Sequence, residues 1–334
     1  MGTVTRSESP ILPIVDAAAL RRSLLFLAAI GGPLCAGVAA SSPAGGLLGA
    51  VTGLILSFAD DEGALARRFA ILALNVAALG LGGAAGILLH GFPWPVWVLF
   101  VALTFGAGQA LRFGKGPAMA TRHCAMALVV TSGGPQFTLA LLWYPLLALL
   151  IVVVARVADH LLAGPLKQQR GGGGGAPTGG WTRFALAYAG AATASLWLGV
   201  HIDPERALWV VVTTLVVMQS DARLSYVRIV HRIAGTVAGV VAAFALTSVL
   251  QEPWIIAAAA LVLAPLIPHH LQHRYWPHTA LIAVVILLAY HLATSDPRIL
   301  RGLMTERLQD VLLGAGLALI GTLLAFPRWV ADDD

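Results

Sequence analysis

A chain of 334 residues in which 58% are hydrophobic and only 11% charged cannot present a water-compatible surface, so a soluble globular protein is excluded. The mean hydropathy of +0.83 predicts a membrane protein instead. The formal net charge of +5 is accounted for by the loops between membrane helices, so it does not indicate binding to nucleic acid. The two cysteines, Cys35 and Cys124, both lie in apolar runs, which argues against a disulfide framework.

Apolar runs follow one another along almost the whole chain, and crossing a bilayer core takes about 20 residues of helix. Uniform richness in Ala, Leu and Gly favours helices over barrel strands, in which polar and apolar residues alternate. Residues 1–20 lack the pattern of a cleaved signal peptide, so the first run is predicted to be a retained crossing. The sequence therefore predicts an all-α polytopic membrane protein with about 12 transmembrane helices. The runs are residues 22–40, 44–59, 68–89, 94–111, 119–133, 137–157, 182–200, 206–220, 228–250, 254–271, 276–293 and 305–326.

The distribution of Lys and Arg among the loops predicts the orientation of the chain. With the N-terminus in the cytoplasm, four of the 21 basic residues face outward, and the rest face the cytoplasm. An even number of crossings returns the chain to its starting side, so both termini are predicted to be cytoplasmic. The outward-facing residues are Arg206, Arg298, Arg301 and Arg307.

Residues 164–180, rich in Gly and without an apolar face, are predicted to be a flexible linker. The sequences on its two sides look duplicated, with matched charged residues and a matched Pro-Trp pair. This predicts two parallel six-helix repeats, residues 1–163 and 181–334, related by a pseudo-twofold axis along the membrane normal. A cleft where such halves meet is a natural place for a substrate. The informative pairs are Asp60 with Asp221, Arg67 with Arg228, Asn75 with Thr236, and Pro93-Trp94 with Pro253-Trp254.

Arginines crowd the entrance of the third helix of each half. On the ninth helix, Arg228, Arg232 and Thr236 share a face because residues four apart lie together. In the first half Arg67 and Asn75 hold the corresponding places. An Arg guanidinium binds carboxylates with two parallel hydrogen bonds, which favours a binding site for an anion at the cytoplasmic mouth of a pathway. The alternative is that these arginines anchor the helices to phospholipid headgroups.

Asp310 is predicted to lie near or within the bilayer, three residues after Arg307. A carboxylate there is costly unless it is paired or faces a wet cavity. We interpret Asp310 with Arg307 as a candidate for proton coupling, and His291 on the preceding helix as a weaker relay candidate. A salt bridge to Arg307 that only fixes the helix end is the alternative.

Catalytic and metal-binding patterns are weak in this sequence. Phosphate-loop, HExxH and GxSxG motifs are missing, so an enzyme is not predicted and no cofactor is implied. The HHxxH run formed by His269, His270 and His273 has no acidic or cysteine ligand beside it, so it does not predict a metal site. The GxxxG spacing Gly235-Gly239 indicates close helix packing, expected to draw the Arg faces of the two halves together.

The second half resembles the fusaric acid resistance protein (FUSC) superfamily, which includes aromatic acid exporters. The resemblance rests on WTRF at 181–184, VVTTLVVMQSDAR at 211–223, RIVHRIAGTVAG at 228–239, Tyr275, and ERLQDVLLG at 306–314. The element RxxxRxxGTxxG and the later RLxDxxxG are its more specific parts. The first half keeps Asp60 and Arg67 but has Leu74-Asn75 in place of the Gly-Thr pair.

The resemblance implies a bacterial inner-membrane exporter of small organic, mostly aromatic, acids that works with a periplasmic adaptor of the membrane-fusion type. It implies substrate contacts by Arg67, Arg228, Arg232, Thr236, Asn75 and Tyr275. Plant aluminium-activated malate transporters are similar in having six helices per unit, assembled as a dimer, so further homo-oligomerisation stays open here. Two other functions stay open as well, a passive anion channel and a non-transporting membrane scaffold.

Overall fold

The computed structural model describes residues 17–60, 63–133, 139–165, 177, 180–203, 207–271, 275–294 and 297–327. Over these residues the chain forms α-helices and no β-strand. Most of the predicted linker lies outside the described residues, as do the side chains of the HHxxH run. The helices are α1 Ala17–Ala39, α2 Pro43–Phe58, α3 Leu65–Leu88, α4 Pro93–Ala110, α5 Lys115–Gly133, α6 Trp143–Ala163, α7 Trp181–Ile202, α8 Ala207–Val217, α9 Ala222–Val249, α10 Pro253–Leu263, α11 Leu266–Leu271, α12 Tyr275–Ala293 and α13 Pro297–Ala325.

The described helices make the chain an all-α, multi-pass membrane protein. Eight of them are long and apolar enough to cross a bilayer: α1, α3, α4, α6, α7, α9, α12 and α13. Three further apolar segments are shorter, at Pro43–Phe58, Ala207–Val217 and Pro253–Pro268. By length and composition the described residues thus provide eight crossings where the sequence predicts about twelve.

Several helices begin as their sequences dictate. Pro43, Pro93 and Pro253 occupy the first turns of α2, α4 and α10, where a missing backbone N–H leaves no hydrogen bond unmade. The carboxylate of Asp221 accepts a hydrogen bond of 2.7 Å from the Leu224 backbone N–H and so caps α9. The direction of α9 is therefore fixed at the point where its arginines enter the bundle.

The apolar core joins the two sides of the linker. One buried cluster combines α4 and α5 with α7, α8 and α13, and a second combines α1 and α2 with α9, α10 and α12. Phe100 of α4 and Phe184 of α7 are both fully buried in the first cluster. The segments before and after the linker therefore share their cores and do not form separate bodies.

Glycines set the closest helix contacts, as the GxxxG spacing predicts. A Cβ at Gly235 would overlap Thr279 and the Trp276 carbonyl of α12, and one at Gly82 would overlap the α5 backbone at Cys124. These glycines pack α9 against α12 and α3 against α5. The expectation that they would draw the arginine faces of α3 and α9 together is therefore wrong, because each glycine face is used within its own half.

Candidate functional site

An ion-pair network closes the first half at the end of the bundle where α1 begins, which we call the Arg21 end. The Arg68 side chain is fully buried and donates to Asp60 at 2.9 and 2.6 Å and to Asp159 at 2.8 Å. Arg21 binds the same Asp159 at 2.6 and 3.0 Å. Arg156 lies 3.5 Å from Asp60 and donates to the carbonyls of Leu56 and Arg68. These contacts tie α1, α2, α3 and α6 together.

The network corrects the site predicted from the first half. Arg67 is exposed, while its neighbour Arg68 carries the buried contacts. Asn75 is fully buried, where it donates to the Ile71 carbonyl at 2.8 Å and its Oδ1 lies 2.8 Å from Nδ1 of His123. The substrate contacts predicted for Arg67 and Asn75 stay predictions, with Arg67 at the surface and Asn75 hydrogen-bonded to α5.

Two arginines meet deep inside the second half. Arg232 is ten residues from the start of α9, and Arg307 is ten residues from the start of α13. Each therefore lies about 15 Å along its helix. The two helices pack together in opposite directions, because Gly321 near the end of α13 contacts Met218 just before α9 begins. Both arginines thus lie at a similar depth in the bundle, away from the ends of their own helices.

These two side chains are buried, and some of their guanidinium N–H groups have no acceptor among the described residues. Arg232 is 5% exposed and Arg307 is 6% exposed. Among the described residues, Nε of Arg232 and both Nε and Nη1 of Arg307 have no hydrogen-bond partner. The Arg307 guanidinium lies 4.1 Å from the centre of the Trp209 ring, which holds it by a cation–π contact. The site therefore offers hydrogen-bond donors to an anion.

Asp310 is the carboxylate next to this pair. It is 3% exposed and lies within electrostatic range of Arg307, as do Arg232 and the Tyr290 phenol. Asp310 follows Arg307 by three residues on the same helix, so the two share a face. The predicted juxtaposition of Arg307 and Asp310 is thus present. A salt bridge and a coupling role are both compatible with it.

Two further arginines lie between this pair and the Arg21 end. Arg228, one turn before Arg232 on α9, stands 5.3 Å from the centre of the Tyr275 ring. Arg122 of α5 stands 5.5 Å from the Tyr188 ring and within electrostatic range of Arg228. We refer to Arg122, Arg228, Arg232 and Arg307 as the arginine cluster. Its members lie about 10 to 15 Å along their helices, measured from the first residue of each helix.

Charge balance separates the arginine cluster from the ion-pair network. In the network the described carboxylates of Asp60 and Asp159 pair with the three arginines around them. In the cluster the carboxylate within electrostatic range of Arg307 is that of Asp310. A buried positive charge without a partner is costly in a membrane, which makes these arginines candidates for a functional site.

The remaining predicted residues flank the cluster. Thr236 is buried one turn beyond Arg232 on α9, at 2% exposure. His291 is half-buried near the other end of the bundle, with Nε2 3.3 Å from the Leu250 carbonyl. The structure therefore brings Arg228 beside Tyr275 and places Arg232 and Asp310 within electrostatic range of Arg307, while His291 stays a predicted relay residue.

Sequence reasoning missed several residues of both groups. Trp209 and Tyr290 gave no signal because a lone aromatic residue in an apolar run is usually a packing residue. Arg122 and Arg156 were counted only as basic residues near helix ends. Each lies seven residues from the nearer end of its helix, which was a usable signal because anchoring residues belong at the interface.

Comparison with known proteins supplies one match. Residues 190–321 match the family model described as fusaric acid resistance protein-like. The match confirms the resemblance over that segment, which contains Arg228, Arg232, Arg307 and Asp310 but not Arg122. No curated protein and no solved structure matches the chain. The family segment and the apolar helices together indicate a membrane protein of the transporter type.

Proposed function

On the premise that residues 190–321 are a fusaric acid resistance protein-like segment, we propose that the protein transports small organic anions across the membrane through the arginine cluster. The observation that carries this proposal is the buried pair of Arg232 and Arg307, each ten residues inside a membrane-spanning helix, with guanidinium N–H groups that no described residue accepts. A carboxylate is the natural partner for such donors. Arg228, Thr236 and Tyr275 complete the proposed substrate contacts.

The finer proposal is export of aromatic acids from the cytoplasm across a bacterial inner membrane, together with a periplasmic adaptor. Trp209, Tyr275 and Tyr290 lie at or beside the arginines and suit an aromatic ring. Proton coupling is proposed for Asp310, which competes with a bound anion for Arg307 when ionised and not when protonated. His291 stays a relay candidate at the opposite end.

Two parallel six-helix repeats are part of the proposal, with both termini in the cytoplasm. The pattern of helix contacts supports the two repeats. When α10 and α11 are counted as one helix, contacts made in the first six helices recur among the second six. Helix α1 packs on α2 as α7 packs on α8, and α3 packs on α5 as α9 packs on α12. The halves also cross-pack in matching ways, with α4 on α7 and α10 on α1. In this arrangement α5 and the shorter helices α2, α8 and α10 cross as well, which with the eight long helices gives twelve.

Stabilisation by ligands tests the proposed anion site. Thermal unfolding of the detergent-purified protein is measured with benzoate, acetate and succinate at fixed pH, because a ligand that binds the folded state raises its apparent stability. We expect a concentration-dependent rise that is lost in Arg232→Gln and in Arg307→Gln. The matched control is Arg223→Gln, an exposed arginine on the same helix as Arg232. Equal stabilisation of all four proteins would refute the site.

The rival functions give different results in the same protein. A scaffold binds none of the acids and moves none across a vesicle membrane. A passive channel binds and conducts, but its flux follows the electrochemical gradient of the anion alone. Flux that also responds to an imposed proton gradient, and loses that response in Asp310→Asn, supports the coupled exporter.

A further inference from the structure

Arg122 presents one edge of its guanidinium without a partner. Its Nε and Nη2 atoms are both buried, and neither has a hydrogen-bond partner among the described residues. The guanidinium carbon lies 5.5 Å from the centre of the Tyr188 ring, and the Tyr188 hydroxyl interacts with Arg122 and donates to the Leu215 carbonyl at 2.7 Å. Tyr188 therefore helps to position Arg122, while the Nε and Nη2 donors keep no acceptor among the described residues.

The same edge binds carboxylates elsewhere in this protein. Arg21 uses Nε and Nη2 to hold the two oxygens of Asp159, at 2.6 and 3.0 Å. Arg68 uses Nε and Nη2 to hold those of Asp60, at 2.9 and 2.6 Å. This side-on arrangement, with two parallel N–H···O bonds, is the geometry in which Arg recognises a planar carboxylate. Arg122 has the edge that this geometry requires.

The surroundings of Arg122 favour an anion over a neutral group. Arg228 lies within electrostatic range of Arg122 and is itself packed on the Tyr275 ring. Two like charges held close together between aromatic rings repel each other unless an anion lies between them. A carboxylate on the Arg122 edge would relieve that repulsion as well as accept the two N–H groups.

The position of Arg122 is also distinctive. It comes from α5, before the linker, whereas Tyr188, Arg228 and Tyr275 come from α7, α9 and α12 after it. It lies seven residues into α5, about 10 Å along the helix, and outside the segment that matches the family model. A site built here exists only where the two halves meet.

We propose that Arg122 binds a carboxylate side-on and forms, with Arg228, an entry subsite for anions between the two halves. This inference rests on the proposed transport function and adds a residue and a step to it. The anion meets Arg122 and Arg228 first and then passes one turn along α9 to Arg232 and Arg307. Arg122 is thus a residue that selects for the carboxylate group at the mouth of the pathway.

Equilibrium binding of radiolabelled benzoate to the full-length protein tests the subsite. Arg122→Lys keeps the charge but removes the two-pronged edge, and Arg122→Gln removes both. We expect the Kd for benzoate to rise about tenfold or more in Arg122→Lys, the loss that follows when charged hydrogen bonds are removed. The control Arg223→Lys makes the same change at an exposed site and is expected to stay within about twofold of the unmodified protein. Benzamide, which has the ring but no carboxylate, is expected not to compete.

The outcomes separate this subsite from the transport function. A Kd unchanged in both Arg122 variants overturns the subsite, and so does a drop in unfolding temperature without a change in Kd, which would make Arg122 a packing residue. If Arg232→Gln abolishes binding while the Arg122 variants do not weaken it, the subsite fails and the transport function stands. If the unmodified protein binds none of benzoate, acetate and succinate, both fail.

Discussion

The ion-pair network is expected to hold the first half together, and replacing Arg68 by Met tests this. The side chain is fully buried and makes three charge-assisted hydrogen bonds to two carboxylates. Bonds of this type contribute about 1.5–3 kcal/mol each. Asp159 keeps Arg21 and Asp60 keeps Arg156 after the change, so part of that energy is retained. We therefore expect a loss of about 3–5 kcal/mol, as for removal of one partner from a buried pair.

The neighbouring residue supplies the control for this prediction. Arg67 is exposed, so Arg67→Met is expected to change the free energy of unfolding by no more than about 0.5 kcal/mol. Unfolding is followed by circular dichroism in mixed micelles of increasing SDS content. Equal stability of Arg68→Met and Arg67→Met would refute the reasoning. Because Arg68 is not part of the arginine cluster, the stabilisation of Arg68→Met by benzoate is expected to persist.

Three further predictions concern helix packing and the buried pair of Arg232 and Arg307. Gly82→Ala is expected to lower the free energy of unfolding by about 1–3 kcal/mol because its Cβ would overlap the α5 backbone. The control Gly80→Ala, on the same helix, meets open space and is expected to leave that free energy unchanged or to raise it. Unfolding in SDS measures both. Asn75→Ala and His123→Ala are expected to show a coupling of about 1 kcal/mol in a double-mutant cycle, and additive losses would contradict their buried hydrogen bond. Trp209→Leu removes the ring under Arg307 and is expected to weaken benzoate binding about fivefold without loss of folding, whereas an unchanged Kd would assign the ring to packing alone.

Much of the helical architecture could be predicted from the sequence because the bilayer imposes a strong pattern. Long apolar runs gave helices near the observed positions, and Asp310 with Arg307 stood out as charges inside a run. Periodicity placed Arg228 and Arg232 on one face, and in the structure they lie one turn apart on α9 as members of the arginine cluster.

The remainder depended on contacts between distant segments. Which of Arg67 and Arg68 is buried follows from the rotation of α3 against α6, and a one-residue difference turns a side chain by about 100° around the helix. The meeting of Arg122 with Arg228 depends on how α5 packs on the second half, which neither helix encodes alone. Interhelical packing in membranes relies on small residues and shape, so the sequence identifies helix faces better than it identifies their partners.

Uptake of radiolabelled benzoate into proteoliposomes tests the central claim most directly, with the unmodified protein, Arg232→Gln, Arg307→Gln and the exposed control Arg223→Gln reconstituted in equal amounts. We expect saturable uptake by the unmodified protein and the control, and a loss of at least about tenfold in uptake for either variant of the buried pair. Uptake by Arg232→Gln and Arg307→Gln equal to that of the control would contradict the claim that these two arginines form the path of the anion.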